Sequence, residues 1–185
     1  FDLQVGNPPW VRPRTDVAGL LSEGDPWWSL SNKPSVTAKN ERMPHTLARP
    51  GILHTVLDGT AAIIVLSELL SDPSVYPLLS GQPDLYRAFM CQVWEHQNEH
   101  GITSLIHMET HFTDAKTPGM RADAYRHMRS HWQFINELSL FEIKDNKRYG
   151  VHIYGTDQEP SFLHATSLYH PETVTRSLMH DGSGE

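Results

Sequence analysis

The chain has 185 residues, 15 basic against 22 acidic for a formal net charge of −7, and 38% of its residues are hydrophobic. That length and apolar content suit one domain with a real core and exclude wholesale disorder. The acidic balance argues against a free-standing nucleic-acid module with a basic face, and the single cysteine, Cys91, excludes a disulfide framework or a multi-cysteine metal site. The longest apolar-rich stretch, 61–70, contains Ser67 and Glu68. It falls short of the roughly 18 residues that cross a bilayer, so a cytoplasmic protein with no membrane segment is expected. The sequence starts on Phe1 inside a strand-like pattern and stops on DGSGE, which suggests a piece of a longer polypeptide.

In chain order, Phe1, Leu3 and Val5 alternate as in a strand ending at Gly6. Asn7-Pro8-Pro9-Trp10 follows, and two prolines in succession dictate a rigid extended loop. Thr15 and Asp16 are placed to cap a short helix through Leu21. Residues 24–50 are rich in Pro, Ser, Asn and charge and read as an irregular insertion around the Trp27-Trp28 pair. Spacing of Ile52, Val56, Ile63, Leu66, Leu69 and Leu70 predicts a helix over 51–70, and a turn-rich connection occupies 71–83. A helix is predicted over 84–100 with Leu85, Phe89, Val93 and Trp94 near one face and Gly101 as its stop. Then come a strand at 102–108, a basic and aromatic helix at 119–131, and an antiparallel hairpin of strands 134–141 and 149–154. The order is that of an α/β fold with a hairpin near one sheet edge.

The loop after the first strand carries the chemistry. In open α/β sheets, ligands bind beyond the carboxyl ends of the strands. Asn7 offers an amide, Pro8 a carbonyl whose own residue has no N–H, and Trp10 a flat face. Two acceptors beside an aromatic plate suit a planar group bearing an NH2, such as the exocyclic amine of a flipped base.

The stretch FDLQVGNPPWVRP resembles the catalytic motif of the amino-group DNA methyltransferases, in their adenine-N6 branch. GQPDLYRAFMCQVWEHQNEHGITSLIHM resembles the next landmark of that family, and RADAYRHMRSHWQFINELSLFEIKDNKRYGVHIYG and SLYHPETVTRSLMHDGSG resemble the large methylase polypeptides of type IIG restriction–modification and BREX-type phage defence. The resemblance implies the C-terminal half of a Rossmann-like class I methyltransferase sheet. Residues 1–155 would be the catalytic-loop half, with 24–80 as an insertion, and 156–185 a linker toward a target-recognition region. It implies that Asn7 and Pro8 accept hydrogen bonds from the adenine amine, that Pro9 shapes the loop and that Trp10 stacks on the base. Asp84 would lie near the substrate, and Arg121, Arg126 and Arg129 would contact the DNA backbone. The cofactor would be S-adenosylmethionine, the substrate double-stranded DNA with a flipped adenine, and restriction or defence subunits possible partners. No metal is required. Two departures stand out: no glycine-rich donor-binding loop occurs in the 185 residues, and Met108 stands where relatives often have proline.

Other constellations read more simply. His107, Glu109 and His111 in HMETH would share one face of a strand and could hold a metal, although a polar strand end is the plainer reading. His127 and His131 would stand four apart on the predicted helix, beside Arg126 and Arg129, where a solvated face is the plainer reading. Cys91 reads as a buried small hydrophobe and the Trp27-Trp28 pair as packing. The competing functions are a methyltransferase acting on cytosine N4, RNA or a protein amide, and an inactive copy that only binds partners. No carboxylate–lysine cluster of convincing spacing supports a nuclease.

Overall fold

The computed structural model describes residues 1–80 and 83–183. It is a mixed α/β structure with a five-stranded sheet, and the chain divides into two compact units, one formed by 1–12 with 72–185 and the other by 13–71.

In the first unit, strand β1 (Leu3–Gly6) runs parallel to β2 (Ile102–Met108). Strand β4 (Arg148–Tyr154) lies antiparallel between β2 and β3 (Met128–Ile135). Strand β5 (Leu163–Leu168) runs parallel to β3 at the far edge, giving the order β1-β2-β4-β3-β5. The antiparallel pair predicted from sequence is therefore present but displaced. The chain leaves its helix at His127 and begins β3 at Met128, so the predicted helix 119–131 ends early and the strand predicted over 134–141 both starts and ends early. The physical reason is register. The face of β3 that carries Met128 and His131 is wanted against Tyr154 and His152 of β4, and the sheet outbids a helical propensity that is weak over Ser130, His131 and Trp132. Residues 156–185, read as a linker, form β5 and the amphipathic helix α8 (Glu172–Met179). Both hairpin strands are thus internal, with β5 outside β3.

One face of the sheet presents Thr103, Leu105 and His107 of β2, His152 and Tyr154 of β4 and His131 of β3, all buried. It is covered by α5 (Leu85–Glu95), α6 (Thr110–Thr113) and α7 (Pro118–His127), with Tyr86, Met90, Met120 and Ala124 in the core. Helix α5 ends five residues short of the predicted stop. Its buried side is Tyr86, Ala88 and Met90, whereas Phe89 is exposed, because the aromatic Tyr86 stacks on His107 at 4.8 Å and so sets the helix's rotation.

The second unit is helical. Asp16 caps α1 (Val17–Ser22) as expected, its side chain accepting from the Gly19 N–H at 3.0 Å. The predicted irregular segment instead contains α2 (Trp27–Leu30) and α3 (Val36–Leu47), the latter carrying Pro44 in its interior. What overrides the loop-like composition is a buried ionic knot. Asp25, 4% exposed, receives Arg42 in a two-pronged contact at 2.7 and 2.9 Å and the Thr46 hydroxyl at 2.9 Å, while Trp28 donates to Thr46 at 2.9 Å. Leu21, Trp28 and Ile52 form the core beside it. Helix α4 (Ile52–Ser71) matches its predicted span and follows Gly51, whose φ of 82° only glycine adopts easily. The expectation that no segment is long enough to cross a membrane needs correcting. This 20-residue helix, with mean hydropathy 1.5, is long and apolar enough by length and composition alone, because the charge at Glu68 is outweighed over the whole window. Leu53, Leu57, Ile64, Val65 and Leu69 are exposed along it.

Candidate functional site

Two places in the first unit carry chemistry. The first is the Asn-Pro-Pro-Trp loop. It leaves the carboxyl end of β1, an edge strand, as the sequence predicted. Asn7 and Pro9 are exposed and Pro8 is buried. Among the described residues, no hydrogen bond holds the Asn7 amide, and the residue is exposed. Trp10 is half-buried and fixed: its indole N–H donates to the Ile106 carbonyl at 3.0 Å, and its rings meet Phe141 at 4.8 Å and Tyr149 at 5.9 Å. Side chains 131 and 139 residues further along thus brace the loop's aromatic plate. An open groove of about 550 Å³ runs beside the loop, lined by Phe1, Leu3, Val5, Asn7, Phe89 and Val93 among others.

Behind the loop lies a polar recess of about 410 Å³. The backbone ties it to the loop, since the Leu85 N–H donates to the Val11 carbonyl at 2.9 Å. Asp84 occupies the cap position of α5 but makes no capping bond there. It pairs with Arg12 at 3.4 Å and accepts from Thr110 at 3.3 Å. Arg87, 3% exposed, spends its guanidinium on Asp114 at 2.7 Å and on the hydroxyls of Thr117, Thr110 and Tyr86 at 3.3 Å each. That pairing holds the Asp114 carboxyl below its usual range.

The three arginines expected on the DNA backbone all have internal acceptors. Arg121 donates to the carbonyls of Phe112 and Asp114, and Arg126 pairs with Asp157. Arg129 stands on β3 rather than on a helix, and donates to the carbonyls of His127, Met128 and Thr156. The structure lines the groove with Asn7 and Pro8, places Asp84 in the separate recess with only the Val11–Leu85 backbone bond between loop and α5, and leaves Arg121, Arg126 and Arg129 on α7 and β3.

The second place is a cluster of imidazoles that sequence spacing missed. His107, His111, His131 and His152 are all buried. His107 stacks on His152 at 3.8 Å and 5°, and His152 on His131 at 4.6 Å and 17°. His107 bonds the Met108 carbonyl through Nδ1 at 2.8 Å, which makes Nδ1 the protonated nitrogen and leaves Nε2 to accept from the Tyr154 hydroxyl at 3.0 Å. Burial pushes His107 down to about 3 and holds His111 and His152 well below the ordinary imidazole value, so these rings are neutral at neutral pH. His131 Nε2 meets the Glu109 carboxylate at 2.6 Å, and Gln133 donates to the other Glu109 oxygen at 2.6 Å. Both ring nitrogens of His152 and Nε2 of His111 are buried with no hydrogen-bond partner among the described residues. Each such orphan costs on the order of 1–3 kcal/mol.

Sequence reasoning weighed His107, Glu109 and His111 as one strand face. The structure ends β2 at Met108 and puts Thr110–Thr113 into α6, so Glu109 meets β3 and β4 instead. His131 was placed on a helix, and His152 was not weighed. The signal that could have found them is alternation in β4, where Gly150, His152 and Tyr154 share a face.

Compared with protein-family models, curated proteins and solved structures, the chain finds no match in any of the three.

Proposed function

We propose that the chain is the catalytic-loop portion of an adenine-N6 DNA methyltransferase. The observation that carries the reading is the unpartnered, exposed Asn7 amide beside the buried Pro8, at the carboxyl end of a parallel strand, with Trp10 locked alongside. Support also comes from the sheet, in which parallel β1 and β2 are followed by an antiparallel strand, in keeping with the fold that the family resemblance implies.

On this reading the Asn7 side-chain oxygen and the Pro8 carbonyl accept the two N–H groups of the adenine amine. Those two bonds fix the amine's orientation and draw electron density onto its nitrogen; as that nitrogen took the methyl group, the donor's methyl–sulfur bond would break to leave a neutral thioether, and one N–H proton would pass to solvent by way of the oxygen that holds it. The plate formed by Trp10 with Tyr149 and Phe141 holds the flipped base flat. Catalysis is positioning and hydrogen bonding, with no acid–base relay needed.

The residues present fit the base better than they fit the methyl donor. The groove beside Asn7 is lined by Phe1, Leu3, Val5, Phe89 and Val93 and by no charged side chain. The polar side chains lining it are Asn7 and Gln4, and Gln4 already donates to the Val93 carbonyl at 2.8 Å and to the Thr103 hydroxyl at 3.2 Å. The donor's polar ends therefore have to be met by residues other than those of this groove.

The test is in cells that lack adenine methylation. Expression from the intact gene should put N6-methyladenine into their DNA, and Asn7→Ala should remove it while the protein accumulates normally. Cytosine methylation in place of methyladenine, or full activity in Asn7→Ala, overturns the reading.

A further inference from the structure

The imidazole cluster has no part in the methyl-transfer reading, and it is built as a ligand set. Glu109, His131 and His152 each offer one donor atom, and these atoms lie within 4.8 Å of one another. They come from three different places in the chain: the end of β2, β3 and β4. We infer that Glu109, His131 and His152 form a binding site for one divalent transition-metal ion of the zinc class, which pins β2, β3 and β4 together beneath α6.

Four observations carry this. The first is chemical: two imidazoles and a carboxylate are the borderline donors that such ions prefer over calcium or magnesium. The second is the state of His152. It is 0% exposed, and among the described residues neither ring nitrogen has a hydrogen-bond partner of good geometry. A histidine kept only for packing could be replaced by an apolar ring, whereas an imidazole whose nitrogens meet no protein group is a ligand waiting for a cation. The third is space. A Cβ on Gly150 would lie 2.8 Å from Nε2 of His131 and 2.8 Å from Nε2 of His152. His152 Cε1 would lie nearer still, so the absence of a side chain at 150 is what lets the two donor rings come together over this strand. The fourth is outer support. Gln133 anchors the free oxygen of Glu109, and His107 and His164 stack on the outer faces of His152 and His131 at 3.8 and 4.8 Å.

Tetrahedral zinc holds its ligands about 2.0–2.2 Å away, so donor atoms must close to roughly 3.3 Å. His131 Nε2 and Glu109 are already at 2.6 Å, and they would open slightly to admit the ion between them. His152 would close by a small ring rotation. His111, whose Nε2 also has no partner among the described residues, has its ring 5.7 Å from that of His152 but lies outside the three-residue ligand set.

The experiment is equilibrium dialysis and calorimetry of the chelator-stripped chain with Zn2+ at neutral pH, repeated with Co2+ to read the visible bands of a tetrahedral site. Wild type should bind about one equivalent tightly, release protons and unfold at higher temperature when loaded. Glu109→Gln keeps the carboxylate's shape and should bind at least about tenfold more weakly. His152→Leu removes the orphaned nitrogens, should fold as shown by circular dichroism, and should lose the site. His54→Ala, on an exposed helix position facing Asp58, controls for adventitious surface binding and should change nothing. Substoichiometric binding by wild type, or unchanged binding in both Glu109→Gln and His152→Leu, overturns the proposal.

Discussion

At the scale of single residues, two side chains have consequences that can be measured directly. Cys91 is half-buried, and burial together with the negative charge of Asp123 pushes its thiol up to about 12. The thiolate is the reactive form, so native protein should resist alkylation at neutral pH and react fully once unfolded. Native labelling at the rate of a free thiol would contradict the assigned surroundings. Asp114 is the main counter-charge of the buried Arg87. Asp114→Ala leaves that guanidinium with neutral partners only and should cost about 2–3 kcal/mol in a denaturant melt. The Asp114 carboxyl is partly exposed, which keeps the figure below that of a fully buried pair. Sequence reads Cys91 as a buried small hydrophobe and singles out nothing at Asp114. Their surroundings depend on partners 27 and 32 residues away in the chain, and no local pattern encodes that proximity.

Among elements, the informative cases are those where local preference lost. Residues 24–50 have a loop-like composition yet form two helices, because Asp25, Arg42 and Thr46 complete one another's hydrogen bonds and Trp28 covers them. Trp28→Ala should cost about 3–5 kcal/mol, the usual penalty for emptying a large aromatic from a core, and should strip the cover from that ionic contact. Helix α3 also carries a removable cost. Pro44 is exposed, lies inside the helix and donates no hydrogen bond. Pro44→Ala restores an N–H there and should raise stability by about 1–3 kcal/mol, read as a later urea midpoint. A lower midpoint would mean that the proline's rigidity matters more than the lost bond. Helix α4 and strand β2 were legible in the sequence because each follows one clean period. Strand β3 was not, because MRSHWQFI has no strict alternation and its start is decided by pairing with β4.

For the whole molecule, the buried imidazoles set the response to acid. His107, His111 and His152 have folded-state values below the ordinary imidazole value, so the unfolded chain binds protons first as pH falls. Their contribution to stability is complete above about pH 6.5 and declines below it, by up to about 1.4 kcal/mol per pH unit for each ring. Urea melts at pH 7, 6 and 5 should show a steep loss between 6 and 5, and His152→Leu should flatten it. A stability that is level across that range would show that these rings titrate normally in the fold. The same cluster explains why the sheet's covered face can be rich in histidine at all: the rings stack on one another and on Tyr86 and Tyr154 as flat apolar plates, with their charge suppressed.

By itself the sequence determined the α/β class, the strand leading into Asn-Pro-Pro-Trp, the cap at Asp16 and the long apolar helix, because each follows from local periodicity or from residues with restricted backbones. Tertiary structure alone decided that β4 inserts between β2 and β3, that residues after 156 supply a fifth strand, and that Trp10 is braced by Phe141 and Tyr149. It alone gathered Glu109, His131 and His152 to within 4.8 Å. Those outcomes turn on strand register. A shift of one residue in β3 or β4 would send His131 or His152 to the opposite face, and register is set by the sheet as a whole rather than by any one segment of the chain.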